Sequence, residues 1–259
     1  KDNQYQRELD SVHSLTIQGA SKNHNNPSII EAVIVFKKRQ TLSCDNKSRS
    51  NSLKSDQLIG SRCSDSLEGD TDANVLRGKQ GDDRIKPKAG DDLVKANPGE
   101  DTVRGGRGDD TCGGGKGSDR LRGNQGQDLL RGKRDDDQLH GGKGSDTLRG
   151  GSGDDELSGN TGKDHLEGKR GDDKLHGGDG DDTLIGGSGA DRFVLSTGND
   201  TITDFNPEQG DQLAIDPALT LSFQQDGDHL LLLDDANSIH TTLRNTTLDQ
   251  LLTAHPELA

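Results

Sequence analysis

From Leu58 onward every ninth residue is apolar, seventeen times in succession and without insertion or deletion. The series runs Leu58, Leu67, Leu76, Ile85, Val94, Val103, Cys112, Leu121, Leu130, Leu139, Leu148, Leu157, Leu166, Leu175, Leu184, Phe193 and Ile202. Two residues ahead of each member stands Asp in sixteen of the seventeen places, Asn74 being the exception. With 38 Asp among 259 residues, chance would fill two or three of them. Gly stands four residues ahead in thirteen places and seven residues ahead in thirteen. A register this tight specifies stacked units, each too small to bury a hydrophobic face alone.

Composition narrows what those units can be. Only 25% of residues are hydrophobic and 2% aromatic, while the net charge is −14. So little apolar area cannot offset the backbone entropy of an ordinary globule. No stretch approaches the roughly 18 apolar residues of a membrane span, so no integral membrane segment is expected. The chain starts at Lys1 and contains no Met, which reads as a processed product or a cut piece of a longer chain, and the short run Ile29 to Phe36 is not a signal peptide. Cys44, Cys63 and Cys112 share no metal or disulfide spacing and read as incidental.

Written out, Gly150-Gly151-Ser152-Gly153-Asp154-Asp155-Glu156-Leu157-Ser158 and Gly177-Gly178-Asp179-Gly180-Asp181-Asp182-Thr183-Leu184-Ile185 follow G-G-x-G-x-D-x-U-x. This pattern resembles the calcium-binding nonapeptide repeat of RTX (hemolysin-type) proteins, with the resemblance strong from Asp56 to Ile202. It implies an all-β fold, a right-handed parallel β-roll with two nonapeptides per coil of 18 residues. It further implies a Ca2+-loaded protein exported by Gram-negative bacteria and their relatives.

The residue types suit that fold. The first six residues make a turn whose glycines permit positive φ and let carbonyls approach an ion. The Asp supplies a hard oxygen of the kind Ca2+ collects six to eight of. The last three residues make a minimal strand with its central side chain inward. On this reading the ligands come from Asp83, Asp92, Asp101, Asp110, Asp119, Asp128, Asp137, Asp146, Asp155, Asp164, Asp173, Asp182 and Asp191. The glycines of the same turns, Gly108, Gly117, Gly144, Gly153, Gly162, Gly171 and Gly180, complete the set. Each of several ions would lie between turns two repeats apart, such as Asp146 with Asp164 or Asp155 with Asp173. No other cofactor is expected.

The array is uneven. From Gly105 to Val194 ten repeats keep the first Gly and the Asp, and Asp135 alone replaces the third Gly. Ahead of Gly105, Pro87, Ala96, Pro98, Asn74, Lys54, Cys63 and Asp72 stand at positions the pattern reserves for other residues. Those coils are expected to keep the strand register and bind fewer or weaker ions. Cys112, at an inward position, is expected to behave as a small hydrophobe.

Basic residues concentrate just after the apolar position: Arg77, Lys86, Lys95, Arg104, Arg122, Arg131 and Arg149, with His140 and His176. Stacking turns them into two ladders, one per sheet. They are expected mainly to keep a flat sheet soluble and to balance nearby carboxylates; the alternative is contact with anionic cell-surface polymers. No aromatics interleave for base stacking, so no specific nucleic-acid partner is expected.

Residues 1–55, 56–204 and 205–259 carry +4, −10 and −8. The organisation expected is a loosely ordered segment over 1–55, the β-roll over 56–202 and a cap over 203–259. Ile29 to Phe36 is one candidate strand to cover the first coil. Asp200-Thr201-Ile202-Thr203-Asp204-Phe205 resembles the closing segment of serralysin-type β-rolls, and that resemblance implies a type I secretion signal in the cap. Leu219 to Phe223, Leu230 to Leu233 and Ile239 to Leu243 read as a hairpin plus a third strand. Leu248, Leu251 and Leu252 behind Thr246-Thr247 read as a short helix.

No H-E-x-x-H or G-x-S-x-G occurs. The chain therefore reads as a secreted, extracellular, non-catalytic calcium-binding repeat protein, unfolded for export and folded by Ca2+ outside. Its expected partners are calcium and the type I secretion machinery. The competing reading is the C-terminal part of a secreted protease or lipase, or of an adhesin or toxin.

Overall fold

The structure is a computed structural model that describes residues 14–22, 30–37, 39–41, 50–52, 56–216, 220–235 and 238–258. A parallel β-solenoid of about nine turns, ~18 residues each, fills most of it. Successive strands alternate between two sheets, so each strand pairs with the one 18 residues on. Leu148 lies opposite Leu130 and Leu166 in one sheet, and Leu157 opposite Leu139 and Leu175 in the other. The ninth-residue series is the core: its members from Leu58 to Ile202 are all at most 2% exposed. Cys112 is among them as a free, buried thiol, and burial pushes its pKa up, as a small hydrophobe requires.

Two expectations need correction. The strand was expected to span three residues, and it does so at Gln57–Ile59, Ser66–Glu68, Val75–Arg77 and Arg84–Lys86. From Leu93–Pro98 to Thr183–Ser188 it spans six, running on through the Gly-Gly-x of the next repeat. Those extra residues also pair with the neighbouring coil, as Gly151 with Lys169 and Ser152 with Arg170. Where Pro87 interrupts this segment, the strand is cut short after Lys86. The cysteines are also not all incidental, because Cys63 is disulfide-bonded.

The second position of the repeat reveals a longer period. In one sheet it is occupied in turn by Asn97, Gly115, Lys133, Gly151, Lys169 and Gly187. Lys133 and Lys169 adopt positive φ, 96° and 91°, although they carry a β-carbon. A β-carbon on Gly151 would collide with the Lys133 carbonyl, and one on Gly187 with that of Lys169. From Asn97 to Gly187 a side chain and a glycine alternate coil by coil, a 36-residue superperiod, whereas ahead of it Lys79 and Asn97 occupy successive coils, both at positive φ. Lys133→Gly is expected to change stability by less than about 1 kcal/mol. Gly151→Lys, one coil away, should cost roughly 2 kcal/mol or more. Denaturation of both variants in calcium checks this; equal effects would contradict the alternation.

The sheets begin ahead of residue 56. Arg39–Thr41 pairs in parallel with Gln57–Ile59, and Ser50–Ser52 with Ser66–Glu68. Ile30–Lys37 pairs antiparallel with Ser14–Lys22. Most of the segment expected to be loosely ordered, including Cys44, lies outside the described residues.

At the far end Gln212–Ala214 extends one sheet, and Ile239–Leu243 extends the other in parallel onto Gly198–Ile202. His229–Asp234 and Leu221–Asp226 then add antiparallel, so the hairpin and third strand stand where the pattern placed them. Leu221–Asp226 is itself the outermost strand of that sheet. Phe193 and Phe205 pack edge to face, 6.1 Å between centroids, at the end of the core. The helix Leu248–Ala254 starts in a capping box between Thr247 and Gln250. Behind it, buried His255 accepts the Leu213 N–H at 3.1 Å through Nε2. Among the described residues no helix is long and apolar enough to cross a membrane.

Candidate metal centre

Each repeat brings its Asp to the end of the turn, where the inward pleat carries the carboxylate toward the solenoid interior. Asp83 through Asp191 in this register are only 1–2% exposed. A buried carboxylate is costly unless both oxygens find partners. One oxygen does: the Asp146 N–H donates to Asp164 Oδ1 at 2.7 Å, and the Asp155 N–H to Asp173 Oδ1 at 2.8 Å. The same bond recurs along two columns, from Asp65 to Asp211 in one and from Asn74 to Asp200 in the other.

The second oxygen does not. Oδ2 of Asp83, Asp92, Asp101, Asp110, Asp119, Asp128, Asp137, Asp146, Asp155, Asp164, Asp173 and Asp182 is buried and accepts no hydrogen bond. Ten of the twelve face the first glycine of their own repeat, in space a side chain would otherwise fill; Pro87 and Ala96 hold that position ahead of Asp92 and Asp101. A β-carbon on Gly141 would meet Asp146 Oδ2 and stand 2.8 Å from the Gly159 carbonyl of the next coil. Carboxylate and carbonyl oxygens thus line the same small space. That donor set, all hard oxygen, fits Ca2+.

The columns are closed at both ends by the chain's own donors. Asp65 Oδ2 accepts from Ser61 N–H at 2.6 Å and Ser61 Oγ at 2.9 Å. Asn74 replaces a carboxylate by an amide, whose Oδ1 accepts the Asp70 N–H at 2.9 Å. At the other end Asp200 Oδ2 accepts from Ser196 Oγ at 2.9 Å and Asp211 Oδ2 from Asn206 N–H at 2.8 Å.

Burial shifts these carboxyls upward from their ordinary value of 3.8. Asp83, Asp110, Asp137, Asp155 and Asp164 rise to about 7, and Asp119 and Asp173 to about 8. Asp92, Asp101, Asp128, Asp146 and Asp191 rise to about 6. Loss of solvation is the main cause; the backbone N–H donor opposes it and neighbouring carboxylates add to it. A pKa raised in the folded state favours folding at low pH, and that contribution disappears as pH climbs through the raised value. Without metal, β-structure is therefore expected to gain on acidification from about pH 8 to about pH 5. Circular dichroism in chelator checks this; a signal that falls on acidification would contradict it.

The structure places the sequence-derived residues as follows. The aspartates stack in two columns, but Asp146 and Asp164 meet through an N–H···O bond rather than by converging side chains. Among the described residues no three His, Cys, Asp or Glu side chains converge as a metal cluster. Gly108, Gly144, Gly153, Gly162, Gly171 and Gly180 have positive φ and donate N–H to the next coil, as Gly144 to Thr161 O at 2.9 Å. Gly117 also has positive φ and donates to Asp135 Oδ2 at 2.9 Å. Asp135 itself takes φ 68°, holding the left-handed turn without a glycine.

Sequence reasoning missed Asp211, which takes the next place in its column 20 residues after Asp191 and so falls outside the nine-residue count. It also missed the outer ladder, where Asp136 and Asp154 each accept the N–H one coil on at 2.8 Å. A frequent Asp just before the in-register Asp of the repeat, as in Asp154-Asp155, was its available signal.

The RTX calcium-binding nonapeptide repeat profile matches residues 53–85, 88–121, 122–157, 158–193 and 185–204, ending ahead of the cap. No curated protein matches the chain. Among solved structures, the extracellular lipase LipA from Serratia marcescens is 18% identical, with a TM-score of 0.36. That match covers 81% of this chain but only 41% of the lipase chain. The AlgE6R3 subunit of the Azotobacter vinelandii mannuronan C5-epimerase is 33% identical, with a TM-score of 0.20, covering 44% of this chain and 72% of that one. The profile match spans more than half of the chain and lies on the register that builds the aspartate columns: the chain belongs to the RTX family of calcium-binding nonapeptide repeat proteins.

Proposed function

We propose that this chain is an extracellular, non-catalytic calcium-binding repeat protein, exported unfolded and folded by Ca2+ outside the cell. The observation carrying this reading is the run of twelve buried aspartate oxygens with no hydrogen-bond donor. Bound calcium supplies the positive charge and coordination that this many buried carboxylates need. Asp83 through Asp191 act as its ligands together with turn carbonyls, while the glycines of the same turns hold the backbone open. Ser61, Asn74, Ser196 and Asn206 close the array, so the end coils stand without metal and the capped C-terminal end templates folding.

Two measurements test this. Equilibrium dialysis should find cooperative calcium uptake that does not exceed the twelve orphaned aspartates. The calcium midpoint of folding should be nearly flat between about pH 8 and about pH 6, because carboxylates of the unfolded chain and of the loaded roll are both ionised there. A midpoint that climbs steeply with acid would mean that protons compete at a roll already folded without metal, and would overturn the reading.

A further inference from the structure

The sheet built on Ile85, Val103, Leu121 and Leu139, from Arg84–Lys86 to Gln138–Lys143, carries a concentrated basic face. Its outward column Lys86, Arg104, Arg122 is flanked by Arg84, Arg120 and Arg107, and all six are exposed. Arg104 lies directly opposite Arg122 in the parallel register. Like charges placed opposite one another in a sheet are destabilising. Adjacent strands stand ~4.8 Å apart, too close for these charges to be ignored even in water.

Neutralisation by nearby acids does not account for Arg104 and Arg122; Glu68 stands opposite Lys86 in the register, and its ion pair is with Lys88. Among the described residues no carboxylate pairs with any of these six, the ion pairs being Lys88–Glu68, Arg149–Glu167, Lys169–Glu167 and Lys174–Glu156. The column Asp carboxylates are buried in the turns. The opposite sheet differs: its outward column is interrupted at Gly113, and Arg149 meets Glu167 at 3.1 Å.

We infer that this face binds a linear anionic polysaccharide laid along the solenoid axis, across the strands. The charges repeat once per coil in a straight row, which complements a chain bearing anionic groups at short regular intervals. No Phe, Tyr or Trp lies on these strands to stack bases, His140 being their one ring, and no apolar side chain projects from their outward positions to enter a lipid surface. The inference rests on the calcium-folded roll, since the row exists only when the coils are stacked.

The test uses the full chain in saturating calcium, with folding verified first by circular dichroism and a fluorescent heparin oligosaccharide as probe. Binding should weaken with salt, and Arg104→Thr/Arg122→Thr should lower affinity about tenfold or more and reduce the salt slope by about two. Arg131→Thr/Arg149→Thr on the other sheet should change it by less than about twofold. The first double variant should also fold at lower calcium, because it relieves repulsion within the column. No heparin binding at low salt, equal losses in both variants, or tighter binding of oligo-dT or anionic vesicles would overturn the inference. Failure to fold in calcium would instead count against the functional reading beneath it.

Discussion

Gly180→Ala is expected to destabilise the calcium-loaded roll by about 3 kcal/mol. Gly180 has φ 134°, which an L side chain rarely adopts, and an added β-carbon would fall on the Gly162 carbonyl one coil earlier. Neither problem has a local remedy. The offending atom is backbone, and Gly180 itself donates to Thr197 O at 3.0 Å. Moving the turn outward would break that bond and pull Asp182 from its column. Alanine at Gly227, where φ is 58° and nothing lies within 4 Å of the added carbon, is the comparison. It should cost only about 1 kcal/mol, from backbone strain alone. Denaturant unfolding of both variants in calcium checks the difference, and similar losses would contradict the close-stacking account.

Asp155 should show a reversal of sign. Its Oδ1 accepts the Asp137 N–H at 2.8 Å, while its Oδ2 is orphaned. Asp155→Asn keeps an acceptor for that N–H and removes the charge. It should therefore destabilise the roll in calcium and favour β-structure in chelator near neutral pH. Asp155→Ala leaves a buried N–H unpaired, a cost of about 1–3 kcal/mol. It should be worse than Asn in both conditions. Unfolding and circular dichroism on the three proteins read these orders directly. If Asn were as harmful as Ala in calcium and gave no gain in chelator, the carboxylate would serve the hydrogen bond and not a cation.

Much of this architecture was legible because the repeat fixes both its period and its inward position. Leu58 to Ile202 announced the core residue by residue, and Thr246-Thr247 announced the helix cap. Three features were hidden for physical reasons. The six-residue strands depend on how Gly-Gly-x pairs with the next coil, and glycine carries no strand signal of its own. The superperiod depends on contact between coils, which a nine-residue alignment averages away. Asp211 joins its column only because the loop through Pro207–Gln209 adds two residues to the coil, so the count fails while the geometry continues. Site composition was legible in the same uneven way. The aspartates were named from spacing, whereas the plugs Ser61, Ser196 and Asn206 emerged only from who donates to each Oδ2.

The central claim, that buried carboxylates keep the roll from folding until a cation meets them, is tested most directly by far-ultraviolet circular dichroism during a calcium titration from chelator at neutral pH. Magnesium serves as the control, since it demands a tighter octahedral site and sheds its waters reluctantly. The account predicts little β-structure in chelator, a cooperative rise with calcium and little response to magnesium at the same concentration. Full β-structure in chelator, unchanged by calcium, would contradict it.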